Sequence, residues 1–171
     1  SVMLQNNKVL DVHAGGAGLP YPFKGEGVMV GIIDDGFEYK HPDFLNNDLG
    51  SRIKNLWDQT STNPNYFESF YGYGASWTNS EIDSFKCTQA PNSHGSHVMG
   101  TAAGNARASG KYIGIAPLAD LAAVRISTGS SFLAGFVDAV HYLFEKADIN
   151  GQPCSINSSV GAYTSGHDGL D

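Results

Sequence analysis

The sequence predicts an α/β domain built on a parallel sheet, and three observations carry that prediction. Apolar, β-branched runs at 28–33 and 121–126 have the length and composition of strands buried on both faces. A third short run spans 154–160. Before it, Phe132, Phe136, Val137, Val140, Leu143 and Phe144 recur at helical spacing. Alternation of strand, helix and strand implies parallel pairing with right-handed crossovers. With 171 residues the chain is one domain or most of one. That length buries roughly 70% of the unfolded surface without staples.

Taken in order, residues 1–26 are Gly-rich and carry Pro20 and Pro22, so they are expected as an irregular lead-in. The first buried strand is bounded by Gly27 and Gly36. Ile53, Leu56 and Trp57 mark a second short strand within 51–58. Residues 59–91 are rich in Asn, Ser, Thr, Gly and Tyr and are expected as a long surface insertion. The aromatics between Tyr66 and Trp77 read either as a binding surface or as a cover over the core. Residues 94–104 are expected to start a helix with Asn92 or Ser93 as N-cap. Residues 113–117 are an extended connector, and Asn150-Gly151 ends the last helix.

Composition removes whole classes of function. At 41% hydrophobic and 16% charged residues the chain is globular rather than disordered. Its 21 glycines follow no G-X-Y period, which excludes collagen. Ten basic residues against 17 acidic ones give a net charge of −7, which argues against a nucleic-acid partner. No apolar run approaches the ~18 residues of a membrane span. Ser1 is not followed by a basic and then apolar leader, so a signal segment is expected to be absent or removed. Cys87 and Cys154 leave two alternatives, one bridge in an exported protein or two buried thiols.

Two places have the makings of a reactive site. Asp34-Asp35-Gly36 ends the first buried strand, and open parallel sheets hold reactive groups at the carboxyl ends of their strands. A turn or capping aspartate is the plainer account of the same residues. In Asn92-Ser93-His94-Gly95-Ser96-His97-Val98-Met99-Gly100, His94 stands at a helix start and can face a cleft. A hydrogen-bonded core histidine is the plainer account there. Gly95 and Gly100 admit close approach of another backbone.

Together these segments resemble the subtilisin-like serine proteases. Ile32-Ile33-Asp34-Asp35-Gly36, followed by His41-Pro42-Asp43-Phe44, resembles their aspartate motif, and 92–101 resembles their histidine motif. Gly114-Ile115-Ala116-Pro117 with 121–125 resembles the strand after the histidine helix. Ile156-Asn157-Ser158-Ser159-Val160-Gly161 resembles the strand lining the substrate cleft. The resemblance implies a three-layer α/β fold with helices on both faces of a parallel sheet. It implies Asp34 and His94 as two members of an Asp-His-Ser triad, and Ser159, Val160 and Gly161 as substrate-binding residues. The implied partner is a polypeptide substrate, and no cofactor is required. The implied location is secreted or cell-envelope.

The chain departs from the family pattern in several places. The nucleophile's Gly-Thr-Ser context does not occur in it, and its Gly104-Asn105 follows the histidine helix rather than the later strand that carries the oxyanion asparagine. Residues 1–171 are therefore expected to be the amino-terminal portion of one peptidase domain, incomplete on its C-terminal side and inactive alone. The rest of the same domain, or a second copy of the chain, is expected to complete the sheet edge. Gly166-His167-Asp168-Gly169 resembles a loop leading into the next helix. Asp35 stands where the family usually has Ser or Thr, and Asp43 stands where some members place a calcium ligand. His97, one turn beyond His94, is expected to point into packing. Two alternatives remain: a non-catalytic peptide-binding relative, and a zinc hydrolase using His94 and His97 beside the carboxylates.

Overall fold

The computed structural model describes residues 2–16, 18–129 and 131–161. The 166–169 motif lies outside the described residues. Among the described residues, five strands form one sheet: β1 (Met29–Asp34), β2 (Ile53–Asp58), β3 (Ala75–Thr78), β4 (Asp120–Arg125) and β5 (Cys154–Ser158). Their order is β3-β2-β4-β1-β5. All neighbours are parallel except β3, which runs antiparallel to β2. The predicted α/β architecture is therefore present, with β1 in the interior and β5 at an edge.

Side-chain alternation splits the core in two. On one face, Val30, Ile32, Leu56, Leu121 and Ala123 pack with Met99 and Ala103 of helix α4 (Ser93–Ala103). On the other, Met29, Ile33, Trp57, Ala122 and Val124 pack with Ala139, Tyr142, Leu143 and Ala147 of helix α5 (Phe132–Ile149). Helices thus cover both faces. Cys87 belongs to the first cluster and Cys154 packs on the second. The sheet separates them, and both are free thiols rather than a bridge.

Two expectations are corrected. The lead-in is not irregular throughout, because helices α1 (Val2–Asn6) and α2 (Val9–Ala14) precede the prolines. A proline constrains itself and its immediate neighbours, so Pro20 and Pro22 say nothing about a helix that has already ended at Ala14. Leu4 of α1 is fully buried. Nor is 59–91 simply a surface insertion. It supplies β3 and the short helix α3 (Asn79–Asp83), and it buries Ala75, Trp77 and Ile82. Tyr71 stacks on Trp57 with ring centroids 4.6 Å apart, and Tyr73 donates to Asp138 on α5 at 2.7 Å. These aromatics cover the core, although Phe67 and Phe70 remain exposed.

Arg52, just before β2, is a buried cation that the sequence pattern did not mark. Its guanidinium donates to the carbonyls of Asp43 (3.1 Å), Ala103 (2.7 Å), Ala116 (3.4 Å) and Ala119 (2.7 Å). It ties the end of α4 to the entrance of β4 and to the 3-10 turn Pro42–Phe44. Burial lowers its pKa to about 10, which keeps it charged at neutral pH. Arg52→Met should strip several buried carbonyls of their donor and cost about 3 kcal/mol or more. Urea unfolding should show a lower midpoint at unchanged slope; an unchanged midpoint would mean the carbonyls find other donors.

Candidate active site

Asp34 is the last residue of β1, and its side chain is 1% exposed. The chain then turns away at Gly36, whose φ of 136° suits glycine. Asn92 caps α4 by accepting from the backbone N–H of His94 at 2.9 Å, so His94 sits in the first helical turn. Gly95 brings that turn against β1. A Cβ there would run into the carbonyl oxygen of Gly36 and stand 3.0 Å from the Asp34 Cβ. The expected close approach at Gly95 is real. Gly100, by contrast, faces open space.

This packing joins two residues sixty positions apart. His94 Nδ1 lies 2.7 Å from Asp34 Oδ1, which also accepts from the Asp35 N–H at 2.8 Å. A carboxylate acceptor places the imidazole proton on Nδ1 and leaves the lone pair on Nε2. The imidazole is 56% exposed, so Nε2 is accessible. Burial pushes the Asp34 carboxyl up, while the hydrogen bond from His94 pulls it back. The His94 imidazole is raised above its ordinary value, first by its hydrogen bond to Asp34 and then by that carboxylate's charge. The arrangement is an oriented base with an open second nitrogen.

Asp35 does not turn fully away. Its Oδ1 accepts from the Gly95 N–H at 3.4 Å, adding a second, weaker tie to the start of α4. Asp34, Asp35 and His94 each offer a ligand atom within 4.8 Å of the others. His97 is outside that cluster, so the expected pairing of His94 and His97 around a metal is not the one that forms. Nor does His97 point into packing: it is exposed and lines a cavity of about 570 Å³ with His41, Phe44, Gly100 and Tyr112. Asp43 is largely buried, and its Oδ1 accepts from the Ala108 N–H at 2.7 Å. Gln89, unmarked in the sequence, steadies the turn after β1 by accepting from the Phe37 N–H at 3.1 Å.

Parallel pairing sets Ile33 beside Ser158, so Ser159, Val160 and Gly161 continue past β5 at the end of the sheet where Asp34 stands. Ser159 and Gly161 are exposed and Val160 is half-buried. Among the described residues, β5 pairs with β1 alone. No serine hydroxyl among them is hydrogen-bonded to His94 Nε2.

The model of the subtilase family matches residues 25–169. The chain belongs to the subtilase family. It is 29% identical over 129 residues to an intracellular serine protease of Paenibacillus polymyxa, covering 74% of this chain and 32% of that protein. It is 28% identical over 152 residues to the PII-type proteinase of Lactococcus lactis subsp. cremoris, covering 83% of this chain and 8% of that protein. The chain thus spans a third or less of these relatives. Among solved structures it is similar in fold to the CspB protease of Clostridium perfringens, with a TM-score of 0.72 and 21% identity, covering 98% of this chain and 35% of that one. The Paenibacillus relative is named as intracellular, and so is one of Bacillus subtilis, so these relatives do not support the expectation of secretion. No helix among the described residues is long and apolar enough to cross a membrane.

The raised imidazole gives a titration with a definite sign. His94 should titrate above the ordinary ~6.5, and the stabilisation from its charged form should be complete below ~6.5 and vanish as pH rises through its folded value. Asp34→Asn should bring His94 back toward ~6.5. Histidine NMR titration of both proteins measures this, and an unmoved His94 would show that Asp34 does not set its basicity.

Proposed function

We propose that this subtilase chain contributes the aspartate and histidine of a serine endopeptidase site, and that the nucleophilic serine and the oxyanion donor come from polypeptide outside these 171 residues. In this reading His94 Nε2 removes the proton from the serine hydroxyl as its oxygen bonds to the scissile carbonyl carbon. His94 then returns the proton to the leaving amine, and a water repeats the sequence to release the acyl group. Asp34 holds the tautomer and stabilises the imidazolium between those transfers. The 2.7 Å contact between Asp34 Oδ1 and His94 Nδ1, in a chain of this family, is the observation that carries the reading. The reaction needs proton transfer and an oxyanion site but no cofactor.

The substrate in this proposal is an extended polypeptide lying along Ser159, Val160 and Gly161. An unpaired backbone edge beside the reacting groups suits added-strand recognition, which selects on main chain more than on side chain. In a complete enzyme built on this chain, His94→Ala and Asp34→Asn should each lower kcat/KM by on the order of 10⁴-fold or more. The 171-residue chain alone should turn over casein at background. Casein turnover that stays with the purified chain, or full activity in folded His94→Ala enzyme, would overturn the assignment.

The edge of β5 also implies a partner. Ile156 is only half-buried there, and an open apolar edge recruits another strand. The proposed occupant is the remainder of the same domain, or a second copy of the chain when that is missing. Light scattering of the purified chain should reveal self-association or a bound polypeptide. A lone monomer with a cooperative melt would show that this edge is content unpaired.

A further inference from the structure

We propose that Asp34, Asp35 and His94 form a binding site for one borderline-soft divalent cation such as Zn²⁺, and that the bound ion blocks His94 as a base. The three residues each place a ligand atom within 4.8 Å of the others. An imidazole with two carboxylates is a donor set that suits zinc, at bond lengths of roughly 2.0–2.2 Å. The backbone ends of all three ligands are already fixed, so side-chain rotation alone would have to bring the donors to bond distance. Asp34 is held by β1, Asp35 is its neighbour, and His94 is held by the Asn92 cap.

Burial and charge support the site independently of ligand spacing. Asp34 is 1% exposed, yet its Oδ2 accepts no hydrogen bond among the described residues. A buried carboxylate oxygen without a donor is costly, and a cation compensates it. When Asp34 and Asp35 are ionised and His94 is neutral, the cluster carries two negative charges and no positive one. Burial falls from Asp34 through Asp35 to His94, so a fourth coordination position faces solvent. Three protein ligands with one nitrogen among them make a poor cage for Ca²⁺ or Mg²⁺, which take mainly oxygen.

Binding is an exchange at His94. The ion bonds to the Nδ1 lone pair, the imidazole proton moves through solvent from Nδ1 to Nε2, and the hydrogen bond to Asp34 gives way to a shared metal. With the metal on Nδ1 and the proton on Nε2, the imidazole has no lone pair left with which to accept a proton. Ion binding needs no nucleophile and is tested apart from the peptidase reading, whereas the block on His94 as a base rests on that reading.

The test is calorimetric titration of the 171-residue chain with ZnCl₂, alongside Asp35→Asn and His94→Gln, with circular dichroism confirming folding. One ion per chain is expected, with affinity weakened on the order of tenfold or more in Asp35→Asn and the site lost in His94→Gln. Excess Mg²⁺ should not displace it. Histidine NMR of the unaltered chain should show His94 perturbed, while His13, His41, His97, His141 and His167 stay in place. That measurement decides the matter even if a variant fails to fold. Absence of zinc binding near millimolar concentration, undiminished binding by folded His94→Gln, or perturbation of the other imidazoles instead would overturn the proposal.

Discussion

The contact on which the site depends is backbone against backbone, where the first turn of α4 meets the end of β1. Gly95 lacks the Cβ that would strike the Gly36 carbonyl and crowd Asp34. Only with the helix that close does His94 come within 2.7 Å of Asp34. A helix held further out would leave a buried carboxylate and an unoriented imidazole. The Asn92 cap fixes one end of the relation, and Gln89 steadies the turn that follows the strand.

The far end of α4 is fixed by different chemistry. Met99 and Ala103 anchor it to the apolar face of the sheet, and Arg52 gathers carbonyls from its last turn and from the segment entering β4. A cation serves there because several carbonyl dipoles converge on a site from which water is excluded. The helix is thus held by shape at the end that carries His94 and by a satisfied buried charge at the other.

The electrostatics of the pair follow from unequal burial. Asp34 is enclosed and His94 is open, so the carboxylate acts on the imidazole through little intervening water while Nε2 remains reachable. Asp35 sets a second carboxylate beside this pair. The same cluster therefore suits a proton base and a divalent cation, and which one occupies it depends on pH and metal concentration.

Much of this was legible in the sequence wherever a signal is local. The runs at 28–33 and 121–126, the periodicity of α5 and the capped start of α4 each lie within about a dozen consecutive residues, and each appears as expected. The pairing of Asp34 with His94 came from motif resemblance, and no periodicity could have supplied its distance. Features made by distant partners were not legible. β3 exists because it pairs with β2 and because Tyr71 covers Trp57, although its own stretch is polar and Gly-rich. Arg52 is buried because carbonyls at 43, 103, 116 and 119 converge on it. His97 faces a cavity because the surfaces around α4 leave one there, and Cys87 and Cys154 stay apart because the sheet lies between them. Local chemistry decided which residues would be strand, helix and reactive group. Tertiary packing decided which of them would meet, because burial and hydrogen-bond partners depend on residues far apart in the chain.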